Sequence, residues 1–106
     1  RLTLAVAFNY AGRTELVDAV RSIVADGLAP DAVDEAAIAS RLYTSGMPDP
    51  DLVIRTGGEQ RLSNFLIWQS AYAEFWSCDV LWPDFDEAAY DAALGAFAQR
   101  SRRFGT

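Results

Sequence analysis

Two short apolar runs, "LTLAVAF" (2–8) and "DLVIR" (51–55), stand at either end of a stretch with helical spacing. A third run, "AYAEFWS" (71–77), alternates and places Tyr72, Glu74 and Trp76 on one face. Short apolar strands separated by helices predict an α/β fold with a mainly parallel sheet flanked by helices. Between the first two runs, apolar residues at 16, 17, 20, 23 and 24 predict a helix from Thr14 that stops near Gly27. Asp34 is placed to cap a second helix over 35–43. Ser63 is placed to cap a short helix through Trp68 or Gln69. Asp86 should cap a last helix over 87–103, with Tyr90, Leu94, Phe97 and Ala98 as its buried stripe. Three strands make a thin parallel sheet, so further strands are expected before Arg1. No repeat or linker interrupts the chain, and residues 1–106 read as part of one domain.

Composition narrows the chemistry. The 106 residues contain no histidine and no lysine, and all nine basic residues are arginine. A Ser-His-Asp triad, a histidine base, a Walker lysine and a Schiff base therefore have no residues to build them from here. Carboxylates, arginines, hydroxyls, backbone amides and an oxygen-held divalent cation remain. A net charge of −6 argues against nonspecific nucleic-acid binding. One cysteine, Cys78, cannot form an internal disulfide, and a reducing, cytoplasmic setting fits. No apolar run approaches the ~20 residues of a membrane span.

The most informative stretch is "DLVIRTGGEQRLSNF" (51–65). In a parallel α/β sheet, ligands sit beyond the carboxyl ends of the strands, where Arg55 to Ser63 falls. Fully extended, the step from Arg55 to Arg61 would span about 20 Å, too far to grip one small anion. Gly57 and Gly58 allow the chain to curl and bring both guanidinium groups, with backbone amides and Ser63, toward one point. The alternative is that the arginines pair with Asp51, Glu59 or other acids while the glycines merely turn. Glu74 lies between aromatic residues, so its carboxylate needs a cation or an arginine partner.

The remaining candidates have bland readings. Trp68, Tyr72, Trp76 and Trp82 suit a core or a dimer contact. Asp79, Asp84, Asp86 and Glu87 suit caps and solvated positions. Arg100, Arg102 and Arg103 favour the negative end of the last helix dipole. Asn9 and Arg13 stand at a strand end, as turn formers or site residues.

"DLVIRTGGEQRLSNFLIWQSAYAEFW", extended by "DVLWPDFDEAAYDAALGAFAQRSRRFG", closely resembles the signature of cis-prenyltransferases, the undecaprenyl diphosphate synthase family. Upstream, "LTLAVAFNYAGRTELVDAV" resembles the family's strand and "NYGGR" segment, with Ala11 in place of the usual first glycine. The resemblance implies a cis-isoprenyl diphosphate synthase that adds isopentenyl diphosphate to an allylic diphosphate and releases pyrophosphate. It implies that Arg55, Arg61 and Ser63 hold isopentenyl diphosphate and that Glu74 serves a Mg²⁺ site. Arg103 and Gly105 match an Arg-x-Gly motif that reaches the active site across a homodimer. The strand around Leu2 and Leu4 would face an elongation tunnel, and the lipid product would bring peripheral membrane contact. Family members are considerably longer, and their essential aspartate sits in an Asp-Gly-Asn motif that these residues lack. The chain is thus expected to be the C-terminal part of such an enzyme and inactive alone. A noncatalytic partner subunit and a phosphate-binding regulatory module are the competing readings.

Overall fold

The computed structural model describes residues 2–104, and side chains up to residue 100. The chain forms two compact units: Arg1–Pro48 with Asn64–Trp68, and Asp49–Ser63 with Gln69–Thr106.

In the first unit, helix α1 runs Gly12–Ala25. It ends where expected: Gly27 adopts φ 68°, and its amide reaches back to the carbonyl of Val24. Its start is less usual. Ala11, at the N-cap, offers no side-chain cap. Asn64 supplies one instead: its main-chain oxygen accepts from Gly12 N at 2.7 Å and its Oδ1 from Arg13 N at 2.8 Å. Two of the amides that a helix start leaves unpaired are thereby satisfied. A Cβ on Gly12 would stand 3.0 Å from both the Asn64 oxygen and Ile67 Cγ1, so any larger residue would force these neighbours to give way. Ala11 is extended at φ −141°, a conformation open to any residue, so the departure from the family's glycine costs nothing locally.

The buried face of α1 is Gly12, Glu15, Ala19 and Ile23. Val17, Val20 and Val24, part of the apolar set read from the sequence, are exposed. Glu15 is 1% exposed, with its carboxylate accepting from the Tyr10 hydroxyl and, at 2.8 Å, from Tyr43 N. The Tyr10 ring packs edge-on against Tyr43 and Phe65. Helix α2, Glu35–Ala39, starts as expected with Asp34 Oδ1 accepting from Ala37 N at 2.8 Å. It stops short of residue 43. Arg41 N and Leu42 N bond three residues back, and Tyr43 N goes to Glu15 instead of continuing the ladder.

Residues 2–8 correct a prediction. They form no strand, and their large side chains are open to solvent, from Val6 at 73% to Leu2 at 94%. A strand exists only by pairing, and among the described residues none pairs with this run. The short helix expected after Ser63 is absent as well. Ser63, Asn64 and Leu66 have φ of 51°, 65° and 45°, and such left-handed residues cannot begin a right-handed helix.

The second unit holds the sheet. Strands β1 (Leu52–Arg55) and β2 (Glu74–Ser77) pair in parallel, Leu52 opposite Glu74 and Arg55 opposite Ser77. Helix α3, Glu87–Phe104, is capped by Asp86 Oδ1, which accepts from Ala89 N at 2.9 Å, and packs on β2. The α/β class with a parallel sheet flanked by helix follows from this arrangement. The face that α3 turns inward differs from the one expected. Ala93 is fully buried, and Ala89, Ala96, Phe97 and Arg100 are half-buried around it. Tyr90, Leu94 and Ala98 are exposed. Small alanines let the helix sit close to the strand, and that rotation carries Arg100 to the inner side. Two short 3₁₀ turns, Pro30–Ala32 and Trp82–Asp84, complete the elements. Trp82 stacks on Phe85 with ring centroids 5.6 Å apart. No described helix is long and apolar enough to cross a membrane.

Candidate functional site

The loop after β1 owes its shape to its glycines and to the chain beyond β2. Gly57 and Gly58 take φ of 76° and 78°, the left-handed region that favours glycine. Their amides donate to the carbonyls of Val80 and Cys78, both at 2.8 Å. The reversal is therefore fastened to the backbone that continues β2. These two amides are committed to the fold, so they are not among the backbone amides of the loop that could face an anion. No helix starts near Ser63, so that stretch offers no helix-terminal amides.

The reversal brings the Arg55 side chain to the main chain of Arg61. Arg55, the last residue of β1, donates from Nη1 to the main-chain oxygen of Arg61 at 2.8 Å. Arg55 is half-buried, while Arg61 and Ser63 are exposed. Among the described residues neither arginine forms an ion pair, so the pairing with Asp51 or Glu59 weighed from the sequence is not observed. A guanidinium carries five N–H donors, and one hydrogen bond leaves most of the Arg55 fork unspent.

Glu74 stands at the other end of the ladder. It opens β2 and pairs with Leu52, whereas Arg55 closes β1 opposite Ser77. Three residues of strand separate the two positions, about 10 Å along the sheet. The arginine loop and the carboxylate are thus not in direct contact through the strands. Glu74 N is held by the Asp51 carbonyl at 2.9 Å. Its side chain is 20% exposed; Oε1 is buried with no hydrogen-bond partner, and Oε2 lies 3.9 Å from Arg100 Nη1. The arginine partner that the sequence demanded for this carboxylate is Arg100, a residue read from the sequence as a dipole complement. The spacing 89, 93, 96, 100 carried that signal, but larger apolar residues at 90, 94 and 97 outweighed it. Among the described residues no three acidic, cysteine or histidine side chains gather as for a metal ion. A divalent cation at Glu74 would have to draw its remaining ligands from elsewhere, such as the oxygens of a bound diphosphate.

Arg103 lies within α3 with its side chain outside the described residues, and Gly105 lies outside them altogether. Cys78 is half-buried, and its main chain joins β1 to the glycine turn: its N donates to Arg55 O at 3.0 Å and its O accepts from Gly58.

A parallel pair of strands thus carries the arginine loop at the end of the first strand and a largely buried carboxylate at the start of the second. The chain belongs to the prenyltransferase family described as undecaprenyl diphosphate synthase, whose model matches residues 1–105. An isoprenyl transferase of Agrobacterium fabrum is 55% identical over 99% of this chain and 44% of its own length. A ditrans,polycis-undecaprenyl-diphosphate synthase of Pectobacterium atrosepticum, named as farnesyl-diphosphate specific, is 53% identical over 98% of this chain and 43% of its own. Among solved structures, lavandulyl diphosphate synthase from Lavandula x intermedia, in complex with dimethylallyl diphosphate, superposes with a TM-score of 0.77. It is 45% identical, over 83% of this chain and 40% of that one. The chain spans less than half the length of these relatives.

Proposed function

We infer that these residues form the C-terminal part of a single cis-prenyltransferase domain. The full-length protein would join isopentenyl diphosphate to an allylic diphosphate. A carbon–carbon bond forms, the allylic carbon–oxygen bond breaks, and pyrophosphate departs with the electron pair. A proton is lost from the isopentenyl unit as a cis double bond forms.

In this reading Arg55, Arg61 and Ser63 hold the diphosphate of isopentenyl diphosphate. The observation that carries it is the closure of Arg55 onto the main chain of Arg61, with no acid among the described residues to neutralise either, in a chain of net charge −6. Arginine forks match phosphate oxygens, and each charge-assisted hydrogen bond contributes about 1.5–3 kcal/mol. The grip falls to guanidinium and hydroxyl groups, since the glycine amides are spent on the fold. Glu74 fits one protein oxygen ligand of Mg²⁺, because Oε1 is buried and unpartnered. When bound, Mg²⁺ would neutralise diphosphate charge. Arg103 and Gly105 would complete the site of a partner subunit in a homodimer. The protein would act in the cytoplasm and meet membranes through its lipid product.

The test is turnover of isopentenyl diphosphate with farnesyl diphosphate by the full-length protein, which should release pyrophosphate and lengthen the prenyl chain. Diphosphate binding without dependence on an allylic co-substrate, and without turnover, would instead mark a regulatory module. The 106-residue chain alone should show no turnover.

A further inference from the structure

Arg100 stands in an unusual relation to Glu74. Its guanidinium is not hydrogen-bonded to the carboxylate. It is anchored on the main chain of the next residue, Nη1 donating to Phe75 O at 2.5 Å. The same nitrogen lies 3.9 Å from Glu74 Oε2, beyond hydrogen-bond length. Arg100 therefore reaches Glu74 through charge and not by orienting it. The inward face of α3, set by Ala89, Ala93 and Ala96, holds the positive charge there. The other oxygen, Oε1, is buried and unpartnered, so the site offers one free acceptor beside a fixed cation.

We propose that Arg100 is a positioning residue that governs the cation site at Glu74 by its charge, keeping divalent binding weak until a diphosphate supplies further negative charge. This rests on the reading of Glu74 as a cation ligand. A fixed positive charge next to a single carboxylate repels a dication as well as neutralising its ligand. Without a diphosphate, the carboxylate is balanced by Arg100 and gains little from a metal ion. With one, phosphate oxygens add ligands and charge, and the ion outweighs the arginine. Because the arginine is tied to Phe75 O, it need not move when the ion arrives.

The experiment titrates Mn²⁺ into the full-length protein without any diphosphate and follows bound metal by electron paramagnetic resonance. Arg100→Gln removes the charge and keeps a donor for Phe75 O. It should tighten Mn²⁺ binding by about three- to tenfold, as expected for a screened, partly exposed charge. Arg100→Lys, which restores the charge, should stay near wild-type affinity. Arg100→Met gives a second neutral variant should the glutamine protein fold poorly. Glu74→Gln isolates the site, since the tightening must vanish when it is combined with Arg100→Gln. Unchanged or weaker binding in both neutral variants, with Glu74→Gln still abolishing the site, would overturn the role of Arg100 alone. Mn²⁺ binding that survives Glu74→Gln undiminished would instead overturn the cation reading of Glu74, and the proposal with it.

Discussion

Arg55 donates through Nη1 to the main-chain oxygen of Arg61 at 2.8 Å, closing a loop whose ends would lie about 20 Å apart if extended. The closure depends on two consecutive left-handed glycines fastened to the chain after β2. It sets the main chain of Arg61 against the Arg55 guanidinium, with no acid pairing either arginine among the described residues.

Gly57→Ala and Gly58→Ala should each destabilise the loop by about 1–2 kcal/mol, the cost of a side chain at positive φ. Space is not the cause: nothing lies within 4 Å of a Cβ at Gly57, and Asp79 Oδ1 is at an ordinary 3.5 Å from one at Gly58. In the full-length protein both changes should raise KM for isopentenyl diphosphate more than for the allylic substrate. Steady-state kinetics with each substrate varied in turn provides the check.

Positions 11 and 12 should respond in different ways. Gly12→Ala places a methyl 3.0 Å from Asn64 O and Ile67 Cγ1 and should cost about 1–3 kcal/mol, lowering the thermal midpoint. Ala11→Gly, at an extended φ of −141°, should cost no more than about 1 kcal/mol, through added freedom of the unfolded chain. A larger loss at position 11 than at 12 would contradict the account of the helix start.

Glu15→Ala should destabilise the first unit by about 2–4 kcal/mol, because Tyr43 N and the Tyr10 hydroxyl lose a buried acceptor. Glu15→Gln keeps an acceptor oxygen and should cost less. Equilibrium unfolding of the two variants separates these outcomes.

Tyr10 also predicts a pH dependence. Burial first, then the hydrogen bond to Glu15, raises its phenol well above the ordinary value of 10.0. A raised value favours the neutral phenol in the folded state. The associated stability is present in full below about pH 10, and is lost as the unfolded chain ionises and pH climbs toward the folded value. Thermal midpoints should therefore fall above about pH 10, and Tyr10→Phe should make that fall shallower. Tyr43, raised chiefly by its hydrogen bond to Asp18, adds in the same direction.

What could be read from the sequence was what local chemistry decides. Asp34 and Asp86 cap helices because their side chains reach an amide three residues on, and Gly27 stops α1 because the chain there needs positive φ. Strands β1 and β2 were legible as short apolar runs between turns. What depends on distant partners was not. Residues 2–8 have strand composition, yet a strand needs a neighbour to pair with. The buried faces of α1 and α3 follow close packing at alanines, which hydrophobicity alone ranks below the exposed valines, Tyr90 and Leu94. Asn64 as the cap of α1 and Arg100 as the partner of Glu74 join residues too far apart in the chain for any spacing rule. The arginine loop was legible because its glycines and arginines are close in sequence. That its amides belong to Cys78 and Val80 was not.

The most direct measurement is kcat/KM of the full-length protein, carrying Arg55→Ala or Arg61→Ala, for isopentenyl diphosphate and for the allylic diphosphate. The expected loss is about 2–4 kcal/mol for isopentenyl diphosphate, roughly 30- to 1,000-fold, with the allylic diphosphate affected far less. A loss confined to the allylic substrate, or none for either, would contradict the assignment of these arginines.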